Sequence, residues 1–141
     1  MATTLETLYG TLITDVFASG LNSLAASASA TSSAISNTTA NAMEYHAQLS
    51  LAGTGAATAY VSVYVLRSID GTNFETIGSA SPVLVIPFTA SPQQVDFSVA
   101  RVSNDDVPFN AFKIAVTNMT GAALGASGNS CTLVPMNYQN V

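Results

Sequence analysis

Charge is scarce in this chain. Only 8% of its 141 residues are Asp, Glu, Lys or Arg, about a third of the share in an ordinary soluble domain. Its surface is therefore either clothed in Ser, Thr, Asn and Gln or partly hidden against other subunits, since contact cores are poor in charge. The cations are just Arg67, Arg101 and Lys113, and the net charge is −5. Nothing is left to neutralise a run of phosphates, so no nucleic-acid partner is expected. Long apolar runs are missing too. The strongest, Val83 to Phe88, falls far short of the ~20 residues a spanning helix needs, and neither a transmembrane segment nor a membrane partner is expected. The N-terminus carries Glu6 and no Lys or Arg before its first apolar residues, unlike the basic start of a secretory signal. Cytoplasmic synthesis and assembly are the expectation.

Reactive side chains are equally sparse. His46 is the one histidine, so a histidine-cluster metal site or a triad with a His base would rest on a single residue, and an exposed strand-face histidine is the simpler reading. Cys131 stands alone and can form no intrachain disulfide; a buried structural thiol is expected. Asp105 and Asp106 are adjacent, but neighbours on an extended chain point to opposite sides and do not make a paired acid and base. Asn104-Asp105-Asp106 could offer oxygens to Ca²⁺ but lacks the ligand spacing of a calcium loop. Gly121, Gly125 and Gly128 precede no Lys and no predicted helix, which makes them turn glycines rather than a phosphate cradle. Asn37-Thr38-Thr39 and Asn118-Met119-Thr120 match the glycosylation acceptor pattern, but without a secretory signal they are given no role. Tryptophan is absent. The tyrosines Tyr9, Tyr45, Tyr60, Tyr64 and Tyr138 could include a sugar-stacking platform, with half-buried sheet residues as the ordinary alternative. No catalytic residue, metal ligand or cofactor is expected.

What the chain does contain is the two-residue period of β-strands. Val61, Val63 and Val65 alternate with Ser62, Tyr64 and Leu66, and Asp70-Gly71 supplies the positive φ of a tight hairpin turn, so residues 60 to 77 are predicted to form two strands of a hairpin. Met43, Tyr45, Ala47, Leu49 and Leu51 alternate with Glu44, His46, Gln48 and Ser50, as in a strand with one wet face. Val83 to Ile86 is predicted as a buried strand, followed by the alternations at Val95, Phe97, Val99 and at Phe112, Ile114, Val116. Cys131 to Val134 is the last predicted strand, ended by Pro135. Seven or so short strands separated by turn signals, with no βαβ alternation, indicate an all-β antiparallel sandwich or jelly-roll-like barrel.

The first 41 residues differ in texture. Leu5, Leu8, Leu12 and Val16 share a helical spacing that Thr and Gly10 weaken, which leaves an arm or an edge strand. Residues 18 to 41 are an Ala/Ser/Thr/Asn segment whose large side chains are Leu21, Leu24 and Ile35, with a short strand predicted near Ser32 to Ile35. Such a segment cannot stay ordered alone and needs sheet pairing or a neighbouring subunit. The expected division is an N-terminal arm over residues 1 to 41 and a sandwich body over 42 to 141. Leu5, Leu8, Tyr9, Leu12, Val16, Leu21 and Leu24 are the candidate coat or subunit interface.

Several ordered segments carry a resemblance. They are Leu8-Tyr9-Gly10-Thr11, Ser33-Ala34-Ile35-Ser36-Asn37-Thr38-Thr39, Arg67-Ser68-Ile69-Asp70-Gly71-Thr72-Asn73-Phe74, Phe112-Lys113-Ile114-Ala115-Val116-Thr117-Asn118 with Thr120-Gly121-Ala122, and Ser127-Gly128-Asn129-Ser130-Cys131-Thr132-Leu133. In this order they resemble the small tailed-phage virion proteins that decorate or cement the capsid. The resemblance implies a β-sandwich on the capsid exterior, a homo-oligomer (dimer or trimer), the major capsid protein as partner, and no catalytic residues. A tail, fibre or baseplate sandwich with a receptor- or glycan-binding role is the alternative, because sandwiches of this kind recur at many virion positions.

Overall fold

A computed structural model describes residues 4–54, 58–88, 92–100 and 110–140. Its regular elements are β1 (Leu5–Tyr9), β2 (Ser29–Thr31), β3 (Ile35–Ser36), β4 (Glu44–Leu51), β5 (Tyr60–Ser68), β6 (Leu84–Pro87), β7 (Gln93–Ala100), β8 (Ala111–Met119) and β9 (Ser130–Asn140). All pair antiparallel, and there is no helix among the described residues. The first sheet has the order β1-β9-β4-β7; the second has the order β2-β8-β5-β6, with β3 also on β8. The fold is an all-β antiparallel sandwich, as the alternation of the sequence indicates.

The inward sides of the two sheets supply one core. Tyr45, Ala47, Leu49 and Leu51 of β4, Val61, Val63 and Val65 of β5, and Phe112, Ile114 and Val116 of β8 belong to a single buried cluster. Tyr45 and Phe112 meet edge to face at 5.0 Å between ring centres, a favoured aromatic geometry. Each strand alternates because successive side chains leave opposite faces of the pleat. Residues 101 to 109, which include Arg101 and the Asn104-Asp105-Asp106 stretch, lie outside the described residues.

Residues 4 to 41 contribute strands to both sheets. β1 closes the edge of the first sheet against β9, and β2 and β3 lie along β8 in the second. Val16, Phe17, Leu21 and Ile35 join the core cluster, with Leu24 packed against it. Asp15, Ala18, Ser19, Ser23 and Ser27 adopt positive φ, so residues 15 to 27 run as consecutive turns. The predicted strand at Ser32 to Ile35 is interrupted: Ser32 to Ala34 bridge the gap between β2 and β3.

Three sequence expectations change. The hairpin of residues 60 to 77 is only half formed. Gly71 has the expected positive φ of 77°, but residues 72 to 77 form no strand, and β5 pairs with β6 and β8 instead. The carboxylate of Asp70 explains the difference: Oδ1 accepts the N–H groups of Thr72 and Asn73, each at 2.8 Å, so these donors are held inside the turn and are not offered to β5. Next, β6 is an edge strand, not a buried one. Ile86 points into the core while Val83 and Val85 are about half exposed, since an edge strand needs only one covered face. Finally, β9 continues through Pro135. Gly10 N–H donates to Pro135 O at 2.8 Å, so Pro135 turns its backbone groups towards the end of β1, and its missing N–H is not needed on the β4 side.

Candidate functional site

Three surfaces of the sandwich offer distinct chemistry. The outer face of the first sheet is polar. Register places His46 beside Ser98 and Val134, and Gln48 beside Asp96 and Thr132. Gln48 Nε2 donates to Asp96 Oδ1 at 3.1 Å, and His46 Nε2 lies 3.5 Å from Glu44 Oε1. The Tyr9 ring meets His46 edge to face at 6.4 Å. Glu44, His46, Gln48 and Asp96 line a shallow depression of about 570 Å³ together with Leu12, Phe97 and Val134. His46 is thus an exposed strand-face residue, and among the described residues no three His, Cys, Asp or Glu converge in a way that could hold a metal.

The outer face of the second sheet is nearly free of charge. Directly paired residues share a face, so the pairs Tyr60–Met119, Tyr60–Pro87 and Ser62–Val85 put Tyr60, Met119 and Val85 on its surface. All three are exposed. The charge on this face of β5, β6 and β8 is Lys113, whose Nζ sits 4.3 Å above the ring of Phe74. That cation–π contact holds the 69 to 77 loop against the sheet.

The third surface is the β1 end of the first sheet. Leu8, Tyr9 and Leu12 are 50%, 60% and 57% exposed, and Met43 and Tyr138 are about half exposed. Leu8 and Tyr9 also border a cleft of about 480 Å³ shared with Ile13, Ala40, Tyr45 and Pro135. Of the candidate interface residues, Leu8, Tyr9 and Leu12 are exposed; as neighbours on β1, Leu8 and Tyr9 leave opposite faces of the sheet, and Leu12 lines the depression beside His46. Val16 and Leu21 are instead taken up by the core, and Leu24 is half-buried against it, because the turns of residues 15 to 27 fold these side chains under the sandwich. Leu5 lies in register opposite Asn140.

The residues that sequence reasoning passed over are buried polar ones. Asn37 and Asn118, the asparagines of the two acceptor-like tripeptides, are 4% and 0% exposed. Asn37 Oδ1 accepts from Ala42 N at 2.8 Å and from Tyr45 Oη at 2.9 Å; burial pushes the Tyr45 hydroxyl pKa upward. Ser32 Oγ accepts the N–H of Ile114 at 3.0 Å, and Asn129 Oδ1 accepts that of Ala52 at 2.8 Å. These groups order the Ser/Asn-rich segments because buried donors and acceptors must be paired. Cys131 is fully buried, and burial together with the nearby Asp15 charge pushes its pKa up to about 12. It is a structural thiol, not a nucleophile.

No protein-family model and no curated protein matches the chain. Solved structures similar to it include a family 35 carbohydrate binding module from an environmental isolate, at 18% identity, TM-score 0.42, covering 81% of this chain and 72% of that one. Desmodium yellow mottle tymovirus is similar at 12% identity, TM-score 0.42, covering 99% and 89%. A structure described as "CBM4 structure and function" is similar at 13% identity, TM-score 0.37, covering 85% and 80%. At these scores the likenesses do not extend to a function.

Proposed function

We propose that this protein is a non-enzymatic structural component of a tailed-phage virion, decorating or cementing the capsid exterior by bridging coat subunits. The observation that carries this reading is the presence of two separate exposed apolar surfaces on opposite sheets. One is the edge around β1, where Leu8, Tyr9 and Leu12 are exposed; the other is Tyr60, Val85 and Met119 on the outer face of the second sheet. A bridging part needs two contact surfaces, and contact cores favour apolar, uncharged side chains of this kind. Repeated copies on a shell make even weak single contacts strong in sum.

The test is rebinding of purified protein to particles stripped of it. Val85→Asp and the double variant Leu8→Asp/Leu12→Asp each place charge on one surface without touching the core. Both are expected to retain the fold by circular dichroism and to lose particle occupancy. Full occupancy by both variants would remove the proposal.

A second reading is a tail or fibre sandwich with a glycan-binding role. It is supported by the depression in which Glu44, His46, Gln48 and Asp96 sit beside Leu12, Phe97 and Val134, with the Tyr9 ring edge-on to His46, which combines planar hydrogen-bonding groups with apolar and aromatic surface. It predicts measurable affinity for a neutral polysaccharide that Gln48→Ala abolishes.

A further inference from the structure

Asp70–Gly71 is the one Asp–Gly step in the chain, and no Asn–Gly step occurs. The other aspartates, Asp15, Asp96, Asp105 and Asp106, precede Val, Phe, Asp and Val. The difference matters because the carboxyl of an aspartate can be attacked by the backbone nitrogen of the next residue, and a side chain on that residue obstructs the approach. Apart from the chain neighbours of Gly71, no described atom lies within 4 Å of the position its Cβ would occupy. Residues 70 to 73 are also exposed, so water reaches the turn freely.

The reaction is intramolecular. Gly71 N forms a bond to Asp70 Cγ, the Cγ–O bond of the carboxylic acid breaks, and the amide proton leaves with that hydroxyl as water, which closes a succinimide ring. Water then opens either ring carbonyl. One opening restores Asp70; the other leaves the backbone running through the aspartate side chain, as isoaspartate. No oxidant, reductant or cofactor enters, and the mass of the chain is unchanged at the end.

In the fold one hydroxyl holds both reacting groups. Ser68 Oγ accepts the Gly71 N–H at 2.9 Å and donates to Asp70 Oδ1 at 2.8 Å. The nitrogen must leave Ser68 before it can turn onto Cγ, and the carboxyl must be protonated for its oxygen to depart as water. Instead the carboxylate also accepts the N–H groups of Asn73 and Thr72, each at 2.8 Å, and Asn73 Nδ2 at 2.7 Å. These bonds favour its ionised form. Ser68 is itself fixed: it is buried at the end of β5, lies in register with Ala111 of β8, and its carbonyl accepts Asn110 N–H at 2.9 Å. The hydroxyl is therefore anchored to the second sheet and not to the turn that it restrains.

We infer that Asp70–Gly71 is the site at which this chain is modified by aspartate isomerisation, and that Ser68 is the positioning residue that sets how slowly the folded protein undergoes it. Isomerisation ends the restraint. It moves the carboxylate away from the Thr72 and Asn73 N–H groups and loosens the loop whose Phe74 ring lies under Lys113 Nζ.

The test is prolonged warm incubation of the full chain at neutral pH, followed by peptide mapping that separates isoaspartate from aspartate at equal mass. Native wild type is expected to accumulate isoaspartate at residue 70 several times more slowly than the same chain unfolded in urea. Ser68→Ala, with native circular dichroism, is expected to isomerise roughly tenfold faster than wild type, the equivalent of one to two lost hydrogen bonds. Ser68→Cys, close in size but with a weakly bonding thiol, gives the same readout should Ser68→Ala fail to fold, and Ser68→Thr, which keeps a hydroxyl, is expected to stay near wild type. Asn73→Ala removes a donor to the carboxylate and leaves Ser68 on the Gly71 N–H, so its acceleration is expected to be much smaller. Equal rates in native and unfolded wild type overturn the inference. So does a folded Ser68→Ala or Ser68→Cys variant as slow as wild type, a Ser68→Thr variant as fast as these, or an Asn73→Ala variant that matches them.

Discussion

Asn118→Ala is the substitution whose cost the structure specifies most closely. The side chain is fully buried near the end of β8. Its Nδ2 donates to the carbonyls of Leu24, Ala25 and Ala122 at 2.9, 3.2 and 2.8 Å. Its Oδ1 accepts from Thr120 N and Thr120 Oγ1 at 3.0 and 2.7 Å. These losses are unequal. Leu24 O keeps Leu124 N at 2.9 Å and Ala25 O keeps Ala28 N at 3.1 Å, while Ala122 O keeps Thr120 Oγ1 at 2.9 Å. The Thr120 N–H, in a residue only 4% exposed, loses its acceptor. Counting about 1 kcal/mol for each of two well-formed donor contacts and roughly 1–3 kcal/mol for the orphaned donor gives about 3–5 kcal/mol. That is a large share of the ~5–15 kcal/mol that holds a domain together. In urea denaturation, at an m-value of about 2 kcal/mol/M, the midpoint is expected to fall by roughly 2 M with m unchanged. Thr132→Ala, half-buried on the outer face of β9, is the control and is expected to move it little. A shift for Asn118→Ala of less than about 0.5 M would refute the claim that this side chain orders the 24 to 28 segment.

Two further outcomes follow from the charges and thiols of the structure. Asp70 accepts hydrogen bonds from Asn73 N and Thr72 N, and from the Asn73 and Ser68 side chains, which hold its carboxyl pKa well below the ordinary 3.8. A depressed folded-state pKa contributes stability above the unfolded value and loses it as pH falls. Asp70→Ala is thus expected to lower the urea midpoint at neutral pH, with the gap to wild type narrowing once pH drops below about 4; a gap that widens on acidification would contradict this. Cys131, buried with its pKa pushed up to about 12, is expected to react with a thiol reagent at mildly alkaline pH only at the rate of global unfolding. Rapid labelling of the native protein would show that β9 opens locally.

Strands that cross the middle of a sheet were legible because their two faces differ. β4, β5 and β8 follow the alternation of Tyr45 to Leu51, Val61 to Val65 and Phe112 to Val116. The misread places are those where backbone groups, not side-chain polarity, decide. Asp70 collects the N–H groups of Thr72 and Asn73, leaving Glu75 N–H as the one that reaches Arg67 O of β5 at 3.0 Å, and Pro135 passes through β9 because its nitrogen faces the end of β1. Neither is a matter of hydrophobic period. The early segment was opaque for another reason: Ser32 and Asn37 within it, and Asn118 and Asn129 bonded to it from β8 and from just before β9, are buried polar residues, and composition alone does not separate a buried, fully bonded Asn from a solvated one. The same segment takes Val16 and Leu21 into the core, while Leu8, Tyr9 and Leu12 stay exposed.

The measurement that bears most directly on the proposed role is the copy number of this protein in purified virions, by quantitative mass spectrometry against the major coat protein. A shell component that bridges coat subunits is expected at a stoichiometry comparable to the coat protein, and heating is expected to open particles stripped of it sooner than intact ones. A handful of copies per virion, or none, would contradict the cementing account and direct attention to the polar face of Glu44, His46, Gln48 and Asp96.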